Sequence, residues 1–276
     1  MRERFFNTLY FFILLVLALV FIFPVFVVLI NSFKVKFSIA TTPFVLPNAD
    51  TFSGAENYLT GLERTGFLSA FGWSLFVTVL SVLVIIVFTS MTAWYITRVK
   101  SLFSTLFYYA LVFSMIVPFQ MVMFTMSKIA NVLRLDNPLG LIFIYLGFGA
   151  GLSVFMFSGF IKNVPQTIEE AATIDGCNTF QVFWLVVFPV LKPTAITVAI
   201  LNTMWIWNDY LLPYLVIGKD YKTIPIAVQY LKGGYGSVDM GAMMAVLVLS
   251  ILPIIIFYLF SQKYIISGVA AGAVKG

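Results

Sequence analysis

Side chains that ordinarily carry enzymatic or metal chemistry are scarce in this chain. It has no histidine, and Cys177 is its one cysteine, which removes imidazole-based triads, His/Cys metal clusters and any internal disulfide. No Gly-x-x-x-x-Gly-Lys-Ser/Thr run is present, so the chain lacks a phosphate loop for ATP. Two other groups of residues have chemical potential. Asp209 is the one charged residue well inside an apolar stretch, with Trp205, Trp207, Asn208 and Tyr210 beside it. A carboxylate at the bilayer centre costs ~2.5–3.5 kcal/mol on insertion scales, so it faces a cavity or a partner. Aromatic faces next to an amide and a carboxylate suit the C–H faces and hydroxyls of a sugar. Equally, Asp209 and Asn208 can tie their helix to a neighbour by hydrogen bonds while the tryptophans sit in an interfacial belt.

The second group lies between Lys162 and Val190. Thr167 and Glu170 have the spacing of a capping box, which predicts a helix from Ile168, and Gly176 supplies a left-handed stop. Asn178 then caps a second helix, Thr179 to Phe188, closed by Pro189. On the first helix Ile168, Ala171, Ala172 and Asp175 share a face at three-to-four spacing. Two alanines with acidic edges make a closely approachable surface suited to a groove on another protein. The alternative is an amphipathic linker lying on lipid.

The elements that must position these residues are membrane helices. Of 276 residues 61% are hydrophobic and 10% charged, mean hydropathy is +1.03, and a soluble domain averages about a quarter charged. Lipid admits helices or closed barrels, and the long apolar runs select helices, because a barrel strand needs only ~10 alternating residues. A hydrocarbon core of roughly 30 Å requires about 20 apolar helical residues. Segments of that kind run from Leu9 to Ile30, Phe67 to Thr97, Leu102 to Ser127, Pro138 to Ile161, Pro193 to Ile217 and Met240 to Gln262, six in all. The first follows Arg2 and Arg4 like a signal peptide, but its apolar run is too long and lacks a small-residue cleavage site, so it is expected to remain.

The net charge of +5 does not indicate nucleic acid, because the basic residues are scattered; Lys34/Lys36, Arg98/Lys100 and Lys219/Lys222 are the densest pairs and read as headgroup anchors. Lysines and arginines divide eight to each face, so loop charge does not orient the chain. Gly234-Tyr235-Gly236 lacks the Thr-Val lead of a potassium filter and follows Lys232, and reads as a loop turn. Asn137-Pro138-Leu139 occurs once, unlike the paired aquaporin boxes.

Glu170-Ala171-Ala172-x-x-Asp175-Gly176, continuing to Phe188-Pro189 and Pro193, resembles the EAA loop of ABC importer permeases. Ala93-Trp94-Tyr95-Ile96-Thr97-Arg98 is similar to the end of the second helix in carbohydrate permeases, and Trp207-Asn208-Asp209-Tyr210-Leu211-x-Pro213 to a segment of their fifth. Gly268-x-x-Ala271-Gly272-Ala273-Val274-Lys275-Gly276 resembles the C-terminal tail of the maltose-type second permease. Two departures are visible: Cys177 replaces the usual alanine after the glycine, and Trp73 stands where Asn commonly precedes Ser74.

The resemblance implies an all-α polytopic membrane protein, the type I ABC importer permease fold, with six transmembrane helices, a cytoplasmic coupling loop at 162–190 and a cytoplasmic tail at 263–276. It implies that Thr167, Glu169, Glu170, Ala171, Ala172, Asp175, Gly176 and Pro189 couple to an ATPase, and that Gly272, Lys275 and Gly276 contact it. Trp205, Trp207, Asn208, Asp209 and Tyr210 are the candidate substrate path. The expected function is the permease subunit of an ATP-driven carbohydrate importer, with an oligosaccharide as substrate, and not an enzyme. Its expected partners are a second homologous permease, two cytoplasmic ATPase subunits, an extracytoplasmic sugar-binding protein and membrane lipid. No cofactor is expected in this chain; ATP and Mg would be held by the ATPase subunits. The implied location is the bacterial cytoplasmic membrane with both termini inside. A glycerol-phosphate or polyol permease, an ion channel and a secondary transporter are the alternatives.

Overall fold

A computed structural model describes residues 2–218, 220–231 and 238–273, with side chains described for 6–218, 220–231 and 238–264. The Gly234-Tyr235-Gly236 turn, Lys219, Lys275 and Gly276 lie outside the described residues. Among these residues the chain is helical, with an isolated bridge between Lys34 and Phe52 and no strand. Five helical segments are long and apolar enough to cross a membrane: Phe6–Asn31, Phe67–Arg98, Pro138–Ile161, Thr179–Asn208 and Met240–Tyr264. A sixth candidate is a helix pair, Leu102–Ser114 and Phe119–Val132, bent by 108°.

The chain forms two compact units, Met1–Ala70 with Ala227–Ile255, and Phe71–Ile226 with Ile256–Gly276. In the first, α1 (Arg2–Asn31) leaves its side chains from Phe6 to Phe26 exposed, as expected of a helix whose solvent is lipid. The polar segment after it is folded. α2 (Lys36–Thr41) and α3 (Glu56–Thr65) are gathered by Asn57, whose Nδ2 donates to the carbonyls of Ser32 at 2.9 Å and Lys34 at 2.8 Å and to Ser53 Oγ at 2.8 Å. Gly241 gives that amide its room, since a Cβ there would collide with Asn57. Arg64 and Asp239 close the cluster with a 2.7 Å ion pair. Lys34 is 1% exposed; its Nζ donates to Thr42 O at 2.7 Å, and loss of hydration holds its pKa below the ordinary lysine value.

The second unit is built on α4 (Phe67–Arg98), α5 (Leu102–Ser114), α6 (Phe119–Val132), α7 (Pro138–Ile161), α8 (Thr167–Ile174), α9 (Thr179–Gln181), α10 (Phe188–Asn208) and α11 (Leu211–Val216). Its core includes Ile85, Leu141, Tyr145, Phe157, Ile161, Phe183 and Leu191, all buried. α7 starts where the sequence says, with Pro138 in its first turn and Asn137 Oδ1 accepting from Gly140 N at 3.0 Å. α12 (Ile224–Gln229) starts at a hydrogen bond from Ile224 N to Ser74 Oγ, 2.8 Å, and Trp73 meets Tyr221 edge to face at 4.8 Å.

Three span boundaries differ from those read in the sequence. The expected helix from Leu102 to Ser127 is broken at Met115–Pro118. Pro118 has no amide to donate and biases Val117 away from helical dihedrals, while Ser114 Oγ donates to Leu111 O at 2.6 Å. The expected span Pro193 to Ile217 instead runs from Thr179 to Asn208, so Pro189 does not close the second loop helix. A π-helical turn, Val182–Val187, joins α9 to α10; its wider loop accommodates a proline that an α-helix interior would reject. α13 (Met240–Ala273) continues past Gln262, so the residues read as a tail begin as helix.

Candidate coupling site

α8 and the turn after it stand at the end of α4. Gly176 has φ of +91°, a region costly for residues with a Cβ, and nothing lies within 4 Å of where its Cβ would be. The residue is therefore required for its dihedral and not for space. Its turn is closed by Gly176 N donating to Thr173 O at 3.1 Å and Cys177 N to Ala172 O at 3.0 Å. Asn178 and Gln181 then form a reciprocal capping box, Gln181 N to Asn178 Oδ1 at 3.0 Å and Asn178 N to Gln181 Oε1 at 2.8 Å.

The expected Thr167/Glu170 box is absent. α8 is capped at Gln166 without a side-chain bond and Thr167 is already its first helical residue, so Thr167 Oγ1 is one position too late to serve. Glu169 has the buried role instead. Its Oε1 accepts from Arg98 Nε at 2.9 Å and Arg98 Nη2 at 2.7 Å, and its Oε2 from Trp94 Nε1 at 2.9 Å. Arg98 Nη2 also donates to Val164 O at 2.9 Å. The side chains of Arg98 and Glu169 are 17% and 10% exposed, so this is a charge-assisted clamp largely shielded from water.

The docking face also needs correction. Ala172 is 8% exposed and belongs to the core with Phe183 and Val187. It points at its own unit, because the carboxylate of Glu169 three residues earlier fixes which stripe of α8 faces in. Glu170, Ala171 and Asp175 are exposed, and Ile174, 86% exposed, joins them. The outward surface is thus one bare isoleucine and one alanine between acids. An open cleft of about 710 Å³ runs beside α8, bordered by Trp94, Arg98, Glu169, Thr173 and Cys177 and also by Glu170 and Ile174 of the exposed face.

At the other end of α10 the cluster around Asp209 is divided. The helix stops at Asn208 and Asp209 takes an extended conformation. Asp209 Oδ1 accepts from Leu211 N at 3.0 Å and Leu212 N at 3.4 Å, starting α11, and Oδ2 accepts from Tyr145 Oη at 3.0 Å. Trp205 meets the same Tyr145 edge to face at 5.4 Å. Trp207 is buried against Phe71 at 5.9 Å, the exposed Asn208 donates to Met204 O at 2.7 Å, and Tyr210 stacks on Tyr214 at 5.2 Å. The structure brings Trp205 and Asp209 together on Tyr145, while Trp207, Asn208 and Tyr210 have the contacts just described. Of the tail residues, Gly272 lies in α13; Lys275 and Gly276 are outside the described residues.

Sequence reasoning missed Tyr145 and the clamp geometry. Trp94 and Arg98 are four residues apart at the end of an apolar helix, so two polar tips share one face; that spacing was the available signal. Tyr145 had only its hydroxyl within an otherwise apolar run.

The site is thus a short internal loop clamped to α4 within a set of membrane-length helices. Residues 86–270 match the family of binding-protein-dependent transport system inner membrane components, and the chain belongs to that family: it is a multi-pass permease component of an ABC importer. It is 40% identical over 262 residues to a probable starch degradation products transport system permease protein of Thermoanaerobacterium thermosulfurigenes, covering 95% of this chain and 94% of the relative. It is 37% identical to a multiple sugar-binding transport system permease protein of Streptococcus mutans, covering 91% of each. Among solved structures, a bacterial ABC transporter involved in import of the acidic polysaccharide alginate superposes with a TM-score of 0.78 at 24% identity, over 96% of this chain and 98% of that one; this likeness concerns the fold.

Proposed function

We propose that the chain is one of two transmembrane permeases of an ATP-driven carbohydrate importer, that its substrate is an oligosaccharide, and that α8 is the element through which an ATPase moves it. The observation that carries the proposal is the Glu169 clamp. It ties α8 to α4 through Arg98 and Trp94 while Ile174, Ala171 and Glu170 remain exposed. The carbohydrate assignment draws on relatives named for starch degradation products and multiple sugars and on a melibiose/raffinose/stachyose import permease of Bacillus subtilis, 28% identical.

On this reading the assembly holds a second permease, two ATPase subunits with ATP and Mg bound between them, and an extracytoplasmic sugar-binding protein. A loop that meets an ATPase is cytoplasmic, and with the bent pair as a sixth span both termini share that side. ATPase closure pushes on Ile174 and Ala171, the clamp passes the movement to α4, and the bundle alternates between inward and outward openings. Trp205 and Asp209, joined at Tyr145, are the part of the α10 cluster best placed to respond. On the same reading Gly272, Lys275 and Gly276 contact the ATPase subunits.

The test is copurification of ATPase subunits together with uptake of labelled maltodextrins and α-galactosides. Ile174→Asp, on the exposed face, should abolish ATPase copurification and uptake while leaving expression and melting temperature unchanged. Normal uptake by this variant refutes the coupling role of α8. Uptake of none of the oligosaccharides by the wild-type assembly refutes the substrate class.

A further inference from the structure

A second cavity in the unit that carries the coupling loop opens at the ends of α4, α5 and α7 and holds about 460 Å³. Lys100, Ser104, Thr105, Tyr108, Ser158 and Lys162 border it, and no acidic side chain does. Neither lysine forms an ion pair among the described residues, where the pairs are Arg64 with Asp239 and Arg98 with Glu169. Lys162 Nζ stands 5.7 Å from the centre of the Tyr108 ring. Ser158 is 2% exposed, lines the cavity, and its Oγ has no hydrogen-bond partner. That hydroxyl is closed to solvent here, and because a buried hydroxyl without a partner is costly, a ligand oxygen entering the cavity would supply the partner it lacks. α5 also begins here, with Ser101 Oγ accepting from Ser104 N at 3.1 Å, and the positive end of its dipole adds to the field of the lysines.

The same rim leads onto an apolar surface. Leu102, Phe103 and Leu106 of α5 are 76%, 66% and 61% exposed. The ligand chemistry is therefore an anion that carries hydrocarbon. We propose that this cavity binds the phosphodiester headgroup of an anionic bilayer phospholipid, with Lys100 and Lys162 pairing its phosphate, Ser158 donating to one of its oxygens, and its acyl chains lying along Phe103 and Leu106. Basic pockets between membrane helices suit such headgroups. An apolar helix laid over the cavity would instead bury two unpaired cations, and a free phosphate would make no use of the apolar rim. The position carries a consequence: Lys100 is two residues beyond Arg98, and Lys162 is two residues before Val164, whose carbonyl Arg98 holds. A bound lipid therefore braces both strands of chain that enter the Glu169 clamp.

The experiment is native mass spectrometry of the purified, delipidated transporter assembly titrated with phosphatidylglycerol, phosphatidylcholine or inorganic phosphate. The wild type should prefer phosphatidylglycerol to phosphatidylcholine at least tenfold. Each lysine near an anionic headgroup contributes about fivefold, so Lys100→Gln with Lys162→Gln should weaken phosphatidylglycerol binding about 30-fold and leave phosphatidylcholine unchanged. Lys100→Arg with Lys162→Arg should retain the preference, and Ser158→Ala should reduce it without lowering the melting temperature of the lipid-free assembly. Phosphatidylglycerol binding unaffected by the double glutamine variant overturns the site. Inorganic phosphate bound in the cavity and not displaced by phosphatidylglycerol overturns the lipid assignment.

Discussion

Removing Arg98 tests whether the Glu169 clamp holds α8 to the bundle. Arg98→Met keeps much of the apolar stem but deletes both guanidinium bonds to Glu169 and the one to Val164 O. Glu169, with its side chain 10% exposed, then keeps a single donor, Trp94. Breaking a largely buried pair from one side costs about 3–5 kcal/mol; the residual exposure and the surviving indole bond favour the lower end, about 3 kcal/mol. At 1.4 kcal/mol per decade the opening equilibrium of α8 should rise about 100-fold. The assay is amide hydrogen exchange over Thr173 to Cys177 in the assembled transporter, run beside ATP hydrolysis and uptake. Protection should fall by about two decades while α7 amides are unchanged, and uptake should drop more than hydrolysis. Glu169→Gln combined with Arg98→Met should be much less harmful than the two single changes added together, because no unpaired charge is left. Additive effects in that cycle, or wild-type protection in Arg98→Met, would refute the clamp.

Other changes separate docking from internal packing. Ala172→Trp puts an indole into the core and should destabilise α8 by about 1–3 kcal/mol, seen as lost exchange protection even before any ATPase is added; full protection would mean that Ala172 faces outward. Gly176→Val should cost about 1–2 kcal/mol from the dihedral alone, since the space is open, and Gly176→Asn should cost less; equal melting temperatures for the two would remove the dihedral argument. Asp209→Ala strands the Tyr145 hydroxyl and uncaps α11, a loss of about 2–4 kcal/mol, and a melting temperature within 1 °C of wild type, against the shift of about 2–4 °C expected per kcal/mol, contradicts both roles. Lys34 is held below its ordinary pKa by burial, so the folded state binds its proton less well than the unfolded chain. That penalty is fully present at neutral pH and is relieved as pH rises toward 10.5. The melting-temperature advantage of Lys34→Met should accordingly shrink between pH 7 and pH 10, and a constant difference would show that the lysine is not desolvated.

Much of the fold was legible because apolar length and local capping point the same way. α4 and α7 follow from unbroken hydrophobic runs ended by Arg98 or begun by Asn137-Pro138. The left-handed stop at Gly176 and the cap at Asn178 were equally readable, because each depends on one residue's own backbone or side chain. What failed depended on neighbours in space. Pro189 reads as a stop in any local scheme; only a π-turn that packs Phe183 and Val187 into the core makes it continuous with α10. Pro118 has the opposite history, since hydrophobicity alone carries a helix across it. The inward stripe of α8 was illegible for a further reason: alanine is compatible with either side, and the decision rests with Glu169, whose partners lie more than 70 residues earlier.

Under the proposed coupling role, the same contacts would make α8 a lever and not merely a tether. It joins the bundle twice, by different means. Through the Glu169 clamp it holds the last turn of α4, and through the Gly176 turn and the Asn178 box its backbone runs on without a flexible linker into α9, the π-turn and α10. Trp94 and Phe183, 5.4 Å apart, close the triangle between these routes. A push on Ile174 therefore reaches α4 and α10 together, and α10, 21 residues long, carries it about 30 Å at 1.5 Å per residue to the break at Asn208–Tyr210. There the carboxylate of Asp209 is held by a side chain of α7 and by the first amides of α11. On that reading the adjustment falls on three irregular points: the π-turn, Pro193 inside α10, which interrupts its hydrogen-bond ladder, and the Asp209 break.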